Sequence, residues 1–222
     1  MTKLILVRHG ESQANKDNVF TGWNDVPLTS LGRKQAQTAG KIIAALDFKP
    51  TCVHTSVLSR AIVTANIIAE MGNFLWTPMQ KTWRLNERHY GALRGMNKDA
   101  SKNIYGEAQI KAWRRGFDAV PPLTEPNRSR RYQGIDPHLL PGAESLHQTM
   151  DRLLPYFYDQ VCPKLMNGED QLIVAHGSTI RALIKYLERI SDEGIVSVEV
   201  PNAEPIVYEF DQKLKIIAKR VL

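Results

Sequence analysis

The chain has little cysteine, no long apolar run and no long run of like charge, and each shortage removes a class of function. Its two cysteines, Cys52 and Cys162, lie far apart in the 222 residues and match no metal-ligand spacing. Cys52 sits in an apolar segment and Cys162 beside Pro163, so both read as inert, reduced thiols. No apolar stretch approaches the roughly 20 residues that a membrane-spanning helix needs. Met1-Thr2-Lys3 leads straight into a strand pattern without the layout of a secretory leader, so the expected location is the cytoplasm, with no membrane partner. Nucleic acid is not expected either. The net charge is +6, from 29 Lys and Arg against 23 Asp and Glu, but the arginines come as singles and pairs. There is no basic–aromatic alternation and no zinc-finger signature. Such scatter suits a pocket assembled from several loops around a small polyanion.

What is present begins at Leu4-Ile5-Leu6-Val7-Arg8-His9-Gly10-Glu11. Four apolar residues predict a short strand buried on both faces. It runs into polar residues, and a glycine at that point lets the backbone turn tightly and approach a ligand. In open α/β sheets ligands sit beyond the carboxyl ends of the strands, where Arg8 and His9 would lie. An arginine grips oxyanions through a rigid fork of donors, and a neutral imidazole nitrogen can attack an electrophile. A lone histidine here is more often a core residue bonded to a backbone carbonyl. His9 has a counterpart, because Gln171-Leu172-Ile173-Val174-Ala175-His176-Gly177 repeats the theme.

Between and beyond these strands the pattern alternates. Glu11–Asn15 opens into a helix, and Thr29 or Ser30 caps another that runs to about Leu46. Thr51–Ser56 predicts a second buried strand, followed by a helix from about Ser59 to Met71 that Gly72 terminates. Arg60 falls in the first turn of that helix, where the dipole favours anions. Two short helices are expected at Lys98–Tyr105 and Glu107–Phe117, and a long, proline-rich loop at Pro121–Pro141. Glu144–Leu165 is helical with a break near Pro155, and Ser178–Ile190 is a helix with Ser178 or Thr179 near its cap. Ile206–Phe210 and Leu214–Ala218 form a terminal strand pair. This order predicts an α/β fold, a three-layer sandwich whose mostly parallel central sheet is flanked by helices. One domain over residues 1–222 is expected, with an insertion at about 83–141 covering the sheet edge.

If the two His-Gly strands are parallel neighbours, His9 and His176 converge over one crevice. One imidazole can attack phosphorus while the other stabilises the phosphoryl oxygens, with Arg8 and Arg60 supplying charge. Glu87, in the polar patch Arg84–Gly91, is the candidate general acid and base; a salt bridge to Arg84 or Arg88 is its plainer reading. Metal binding by the histidines with Glu11 and Glu87 competes, but no ligand pair has metal spacing. A serine nucleophile lacks its G-x-S-x-G turn.

Leu6–Ser12, Phe20-Thr21-Gly22-Trp23, Thr55–Ala61, Leu85–Gly91, Trp113-Arg114-Arg115, Glu144-Ser145-Leu146 and Ala175-His176-Gly177 occur in this order. Together they resemble the cofactor-dependent phosphoglycerate mutases of the histidine phosphatase superfamily over nearly the whole chain. Arg-His-Gly alone would support only the superfamily; Leu-Asn-Glu-Arg and Trp-Arg-Arg are more specific to the mutase branch. The resemblance implies a phosphoglycerate mutase-like fold and interconversion of 3- and 2-phosphoglycerate by ping-pong transfer. It implies that His9 is phosphorylated, that 2,3-bisphosphoglycerate primes it, and that no metal takes part. Glu87 would move the proton, and His176, Arg8 and Arg60 would stabilise the phosphoryl group with Asn15 and the amides near Gly177 and Ser178. Thr21, Gly22, Tyr90, Lys98, Arg114 and Arg115 would hold the carboxylate and second phosphate. Such enzymes are often homo-dimers or homo-tetramers.

The sequence departs from that pattern in three places. Ser178 stands where the family usually has Asn, and Ala14 where it has Trp. Many members also carry a longer tail over the site, and an end at Leu222 implies easier entry of water. Arg128–Arg131 would partly cover the opening. The alternatives are therefore a phosphatase of the same superfamily acting on small phosphorylated acids, and a regulatory protein that keeps the pocket without turnover.

Overall fold

The computed structural model describes residues 1–125 and 129–222. The first strand, β1 (Thr2–Arg8), shows why the sequence folds in layers. Its side chains alternate, and both sets are apolar. Leu4 and Leu6 enter one core with Ile173, Ala175, Leu146, Leu153, Ile180 and Leu183. Ile5 and Val7 enter the other, with Leu172, Val174, Ala39, Ile43, Ala65 and Ile68. The sheet therefore separates two helical layers. On one side lie α2 (Ser30–Ala44) and α3 (Ser59–Met71); on the other lie α6 (Leu146–Tyr156), α7 (Cys162–Met166) and α8 (Gly177–Glu188). A single turn, α1 (Gln13–Lys16), follows β1; α4 (Lys98–Tyr105) and α5 (Glu107–Arg115) fall between β3 and α6.

The remaining strands are β2 (Cys52–Thr55), β3 (Met79–Lys81), β4 (Gln171–Ala175), β5 (Pro205–Phe210) and β6 (Ile216–Val221). The six-stranded sheet runs β3-β2-β4-β1-β5-β6. The first four strands in that order are parallel, β5 runs antiparallel to them, and β6, antiparallel to β5, returns to their direction. In the β1–β4 pair Arg8 lies opposite Ala175. The helices that follow these two strands go to opposite faces of the sheet. The chain thus opens a crevice at their carboxyl ends, where an open α/β sheet takes its ligand.

The predicted α/β sandwich is present, with corrections at its margins. Met79-Gln80-Lys81 was not expected to be a strand: it is short, half polar and at the sheet edge. Pro155 does not break α6, because it sits on the exposed face where water can take the freed carbonyl. The irregularity comes later, as a π-turn at Phe157–Val161 in which Cys162 N–H donates to Phe157 O, just before Pro163. Gly72 ends α3 as expected, but its φ is −82°; the left-handed residue is Asn73, at +57°. α8 starts at Gly177, so His176, not Ser178 or Thr179, is the N-cap. Leu214 turns at φ +57° and the last strand begins at Ile216. From the segment 83–141, Glu87, Tyr90, Lys98, Arg114 and Arg115 border the same cleft as Arg8 and His9.

Candidate active site

Parallel pairing of β1 and β4 brings the two histidines together. His9 N–H donates to Ala175 O at 3.0 Å, and the rings of His9 and His176 meet edge to face with centroids 5.1 Å apart. Both are buried, His9 at 3% and His176 at 0% exposure. His9 Nδ1 lies 2.7 Å from Gly10 O. A carbonyl can only accept, so Nδ1 carries the proton and Nε2 keeps its lone pair. Arg60 Nε donates toward that Nε2 at 3.3 Å. Burial, then Arg60 and Arg8, hold His9 well below the usual imidazole range, so the ring stays neutral at pH 7. His176 is pushed the same way by burial, Arg60 and His9. Its Nε2 pairs with Ser56 Oγ at 2.8 Å, and its buried Nδ1 has no partner among the described residues.

Arg60 is fixed from three sides. Its Nη1 and Nη2 donate to Asn24 O and Gly22 O, each at 2.8 Å, and burial lowers it only to about 10, so it remains a cation. Gly22 has φ +51°, and a side chain there would crowd the Tyr90 amide. Arg8 Nη1 donates to Val200 O at 2.8 Å while its buried Nε has no partner among the described residues. Glu87 accepts Arg88 N–H at 2.8 Å and Ser178 N–H at 3.1 Å, both on Oε1. The Ser178 amide is thus committed to Glu87. Asn15 Oδ1 accepts from Ser12 N–H and Ser12 Oγ, which turns its Nδ2 into the available donor.

These groups line a single open cleft. Arg8, His9, Asn15, Thr21, Gly22, Arg60, Glu87, Tyr90, Lys98, Arg114, Arg115, Gly177 and Ser178 all border it, and His176 lies against His9 beneath. The residues expected to carry the phosphoryl group and to hold the substrate are therefore gathered at one place. Six cationic side chains face the cleft against two carboxylates, Glu87 and Glu199. Glu11 is turned away and accepts from Thr29 Oγ1 at 2.6 Å. Among the described residues no group of three or more His, Cys, Asp or Glu side chains clusters as for a metal, and no helix is long and apolar enough to cross a membrane. Neither Arg130 nor Arg131 borders the opening; Arg131 pairs with Asp25. Arg128 lies outside the described residues.

Sequence reasoning missed several members of the site. Arg181 borders the cleft and donates to Arg114 O, Arg115 O and Ile195 O at 3.3, 3.0 and 2.7 Å. One turn beyond Ser178 on α8, it had a helical-spacing signal. Ser56, Asn202 (Nδ2 to His9 O, 2.7 Å) and Glu199 (Oε1 to Arg115 Nη2, 2.5 Å) are brought in by distant segments and had none.

The profile of the histidine phosphatase superfamily (branch 1) matches residues 4–220. A 2,3-bisphosphoglycerate-dependent phosphoglycerate mutase 2 of Lactobacillus johnsonii is 64% identical over 100% of this chain and 98% of its own. A 2,3-bisphosphoglycerate-dependent phosphoglycerate mutase 1 of Latilactobacillus sakei is 51% identical over 99% of this chain and 94% of its own. Among solved structures, a mycobacterial glucosyl-3-phosphoglycerate phosphatase complexed with VO3 superposes with a TM-score of 0.77 at 24% identity, covering 100% of this chain and 98% of that one. At that identity the likeness concerns the fold.

Proposed function

The chain belongs to the histidine phosphatase superfamily, branch 1, and from that membership we propose that it is an isomerase interconverting 3-phosphoglycerate and 2-phosphoglycerate. The names of relatives 45–64% identical along the whole chain support this reading. The observation that carries it is the state of His9: neutral, buried, with Nε2 unprotonated and facing a fixed guanidinium. That is a nucleophile poised for phosphorus, and the cationic rim beyond it suits a ligand with a second anionic group.

His9 Nε2 takes a phosphoryl group from 2,3-bisphosphoglycerate, forming N–P as P–O breaks, and Glu87 protonates the departing oxygen. The free hydroxyl of 3-phosphoglycerate then attacks phosphorus. N–P breaks, P–O forms, and Glu87 takes the hydroxyl proton. After the bisphosphate turns around, His9 accepts its other phosphoryl group, Glu87 returns the proton to that oxygen, and 2-phosphoglycerate leaves. Arg8, Arg60 and His176 offset charge on the equatorial oxygens. Asn15 Nδ2 adds a hydrogen bond, and the Gly177 amide at the start of α8 faces the same charge. Thr21, Gly22, Tyr90, Lys98, Arg114 and Arg115 hold the carboxylate and the second phosphate. The steps above use only these side chains and amides, with no metal called on, and the cytoplasm is the compartment this role implies.

Incubation with 32P-labelled 2,3-bisphosphoglycerate should leave acid-labile phosphate on the wild-type chain and none on His9→Ala. Isomerisation should persist in EDTA and disappear in His9→Ala. Release of inorganic phosphate in place of isomerisation would make the protein a phosphatase, and absence of any labelling would overturn the covalent mechanism.

A further inference from the structure

The cleft contains a carboxylate with no part in phosphoryl transfer. Glu199 Oε1 lies 2.5 Å from Arg115 Nη2, and both residues border the pocket. A negative charge in a site for polyanions is a conflict that calls for a reason. Two are open: Glu199 orients Arg115 for the ligand, or it competes with the ligand for Arg115.

The geometry points to competition. The backbone at Arg115 is held without Glu199, because its carbonyl accepts from buried Arg181 and the adjoining Arg114 carbonyl accepts from Arg181 and Arg88. The end of α5 is thereby tied to α8 and, through Ile195 O, to the turn at Gly194–Ser197. Glu199 is the loose partner. Its side chain is 65% exposed against 28% for Arg115, so it can swing into solvent at little cost. Its field also reaches Arg8 and Arg181 across the cleft, stabilising their charged forms when the site is empty.

We propose that Glu199 is a specificity-determining residue that occupies Arg115 in the empty site and is displaced by the anionic end of the ligand remote from His9. It weakens ground-state binding of ligands with two anionic groups and hastens their release, while leaving a ligand with one phosphate near His9 almost untouched. The inference rests on the mutase reading only for the identity of the ligand.

The test is calorimetric titration of wild type, Glu199→Gln, Arg115→Met and the double variant with phosphonoacetate, an unreactive phosphonate-carboxylate, and with inorganic phosphate. Glu199→Gln should bind phosphonoacetate about two- to fivefold more tightly, the range of an exposed ion pair. The gain should shrink as salt is raised, vanish in the Arg115→Met background, and be absent for inorganic phosphate. The KM for 3-phosphoglycerate should fall by a similar factor. Weaker binding by Glu199→Gln would mean that Glu199 orients Arg115, and unchanged binding would make the pair a surface contact; either overturns the proposal. Wild-type failure to isomerise 3-phosphoglycerate would sink the mutase reading alone, since the phosphonoacetate arm does not depend on turnover.

Discussion

His9 donates its Nδ1–H to Gly10 O across 2.7 Å, one residue along the chain. The bond fixes the tautomer and leaves Nε2 to meet Arg60 Nε at 3.3 Å. The phosphoenzyme should therefore carry its phosphoryl group on Nε2, which 31P–1H correlation spectroscopy of the labelled protein distinguishes from the Nδ1 isomer. The same bond depends on Gly10, whose Cα approaches the backbone of Gly32: a Cβ added there would lie 2.1 Å from Gly32 O. Gly10→Ala must move backbone at the nucleophile itself, so labelling should be lost or greatly slowed, with stability lower by about 1–3 kcal/mol. Labelling on Nδ1 would contradict the assignment.

Glu87 separates holding from proton transfer. Its Oε1 takes both N–H bonds, from Arg88 and Ser178. Glu87→Gln keeps an acceptor in that place but cannot take up a proton. Isomerisation should fall by about 10²- to 10⁴-fold, while urea unfolding stays within about 0.5 kcal/mol of wild type. A variant that unfolds early would show that the carboxylate's charge holds the 87–90 segment, and a variant of normal activity would assign the proton to another group.

How much of this could be read from the sequence follows from where each contact comes from. β1 and β4 were legible because Leu4–Val7 and Leu172–Ala175 are apolar on both faces, and the residues after them inherit their position. Arg60 was legible as an early helical residue, but its binding by Gly22 O and Asn24 O was not. Backbone carbonyls carry no residue signature. Ser56, Glu199 and Asn202 reach the site across 120, 84 and 193 residues of sequence, and no local pattern encodes such an encounter. The interruption expected near Pro155 begins two residues on, at Phe157, and its form as a π-turn has no local residue signature.

His54 gives the protein an acid limit apart from catalysis. It is fully buried, paired with Tyr156 OH at 2.8 Å and Gln171 Oε1 at 3.0 Å, and burial lowers it to about 4. Unfolded, it would protonate near 6.5. Between those values the unfolded chain binds a proton that the folded chain refuses, so stability is full above pH 6.5 and falls as pH drops toward 4. The loss is roughly 3 kcal/mol for this one group across the window, and His9 and His176 act with the same sign. Urea midpoints at pH 7.5 and 4.5 should differ accordingly, with a smaller difference in His54→Gln. A pH-independent midpoint would show that His54 is already protonated or open to water.

Ser56 is the remaining handle on the histidine pair. Its Oγ accepts Leu58 N–H at 3.1 Å and lies 2.8 Å from His176 Nε2, the one hydrogen bond that imidazole makes among the described residues. Without it the ring is buried with both nitrogens unpaired, and nothing polar holds its edge against His9 at 5.1 Å. Ser56→Ala should cost about 1–3 kcal/mol in urea unfolding, the range for stranding a buried polar group. A purely structural role would stop there. If the hydroxyl also aims His176 at the phosphoryl oxygens, kcat should drop about tenfold or more with the KM for 3-phosphoglycerate held within about twofold, because the lost interaction forms only in the transition state. A rise in KM at constant kcat would place His176 in ground-state binding instead, and a variant with unchanged kinetics would remove Ser56 from the site.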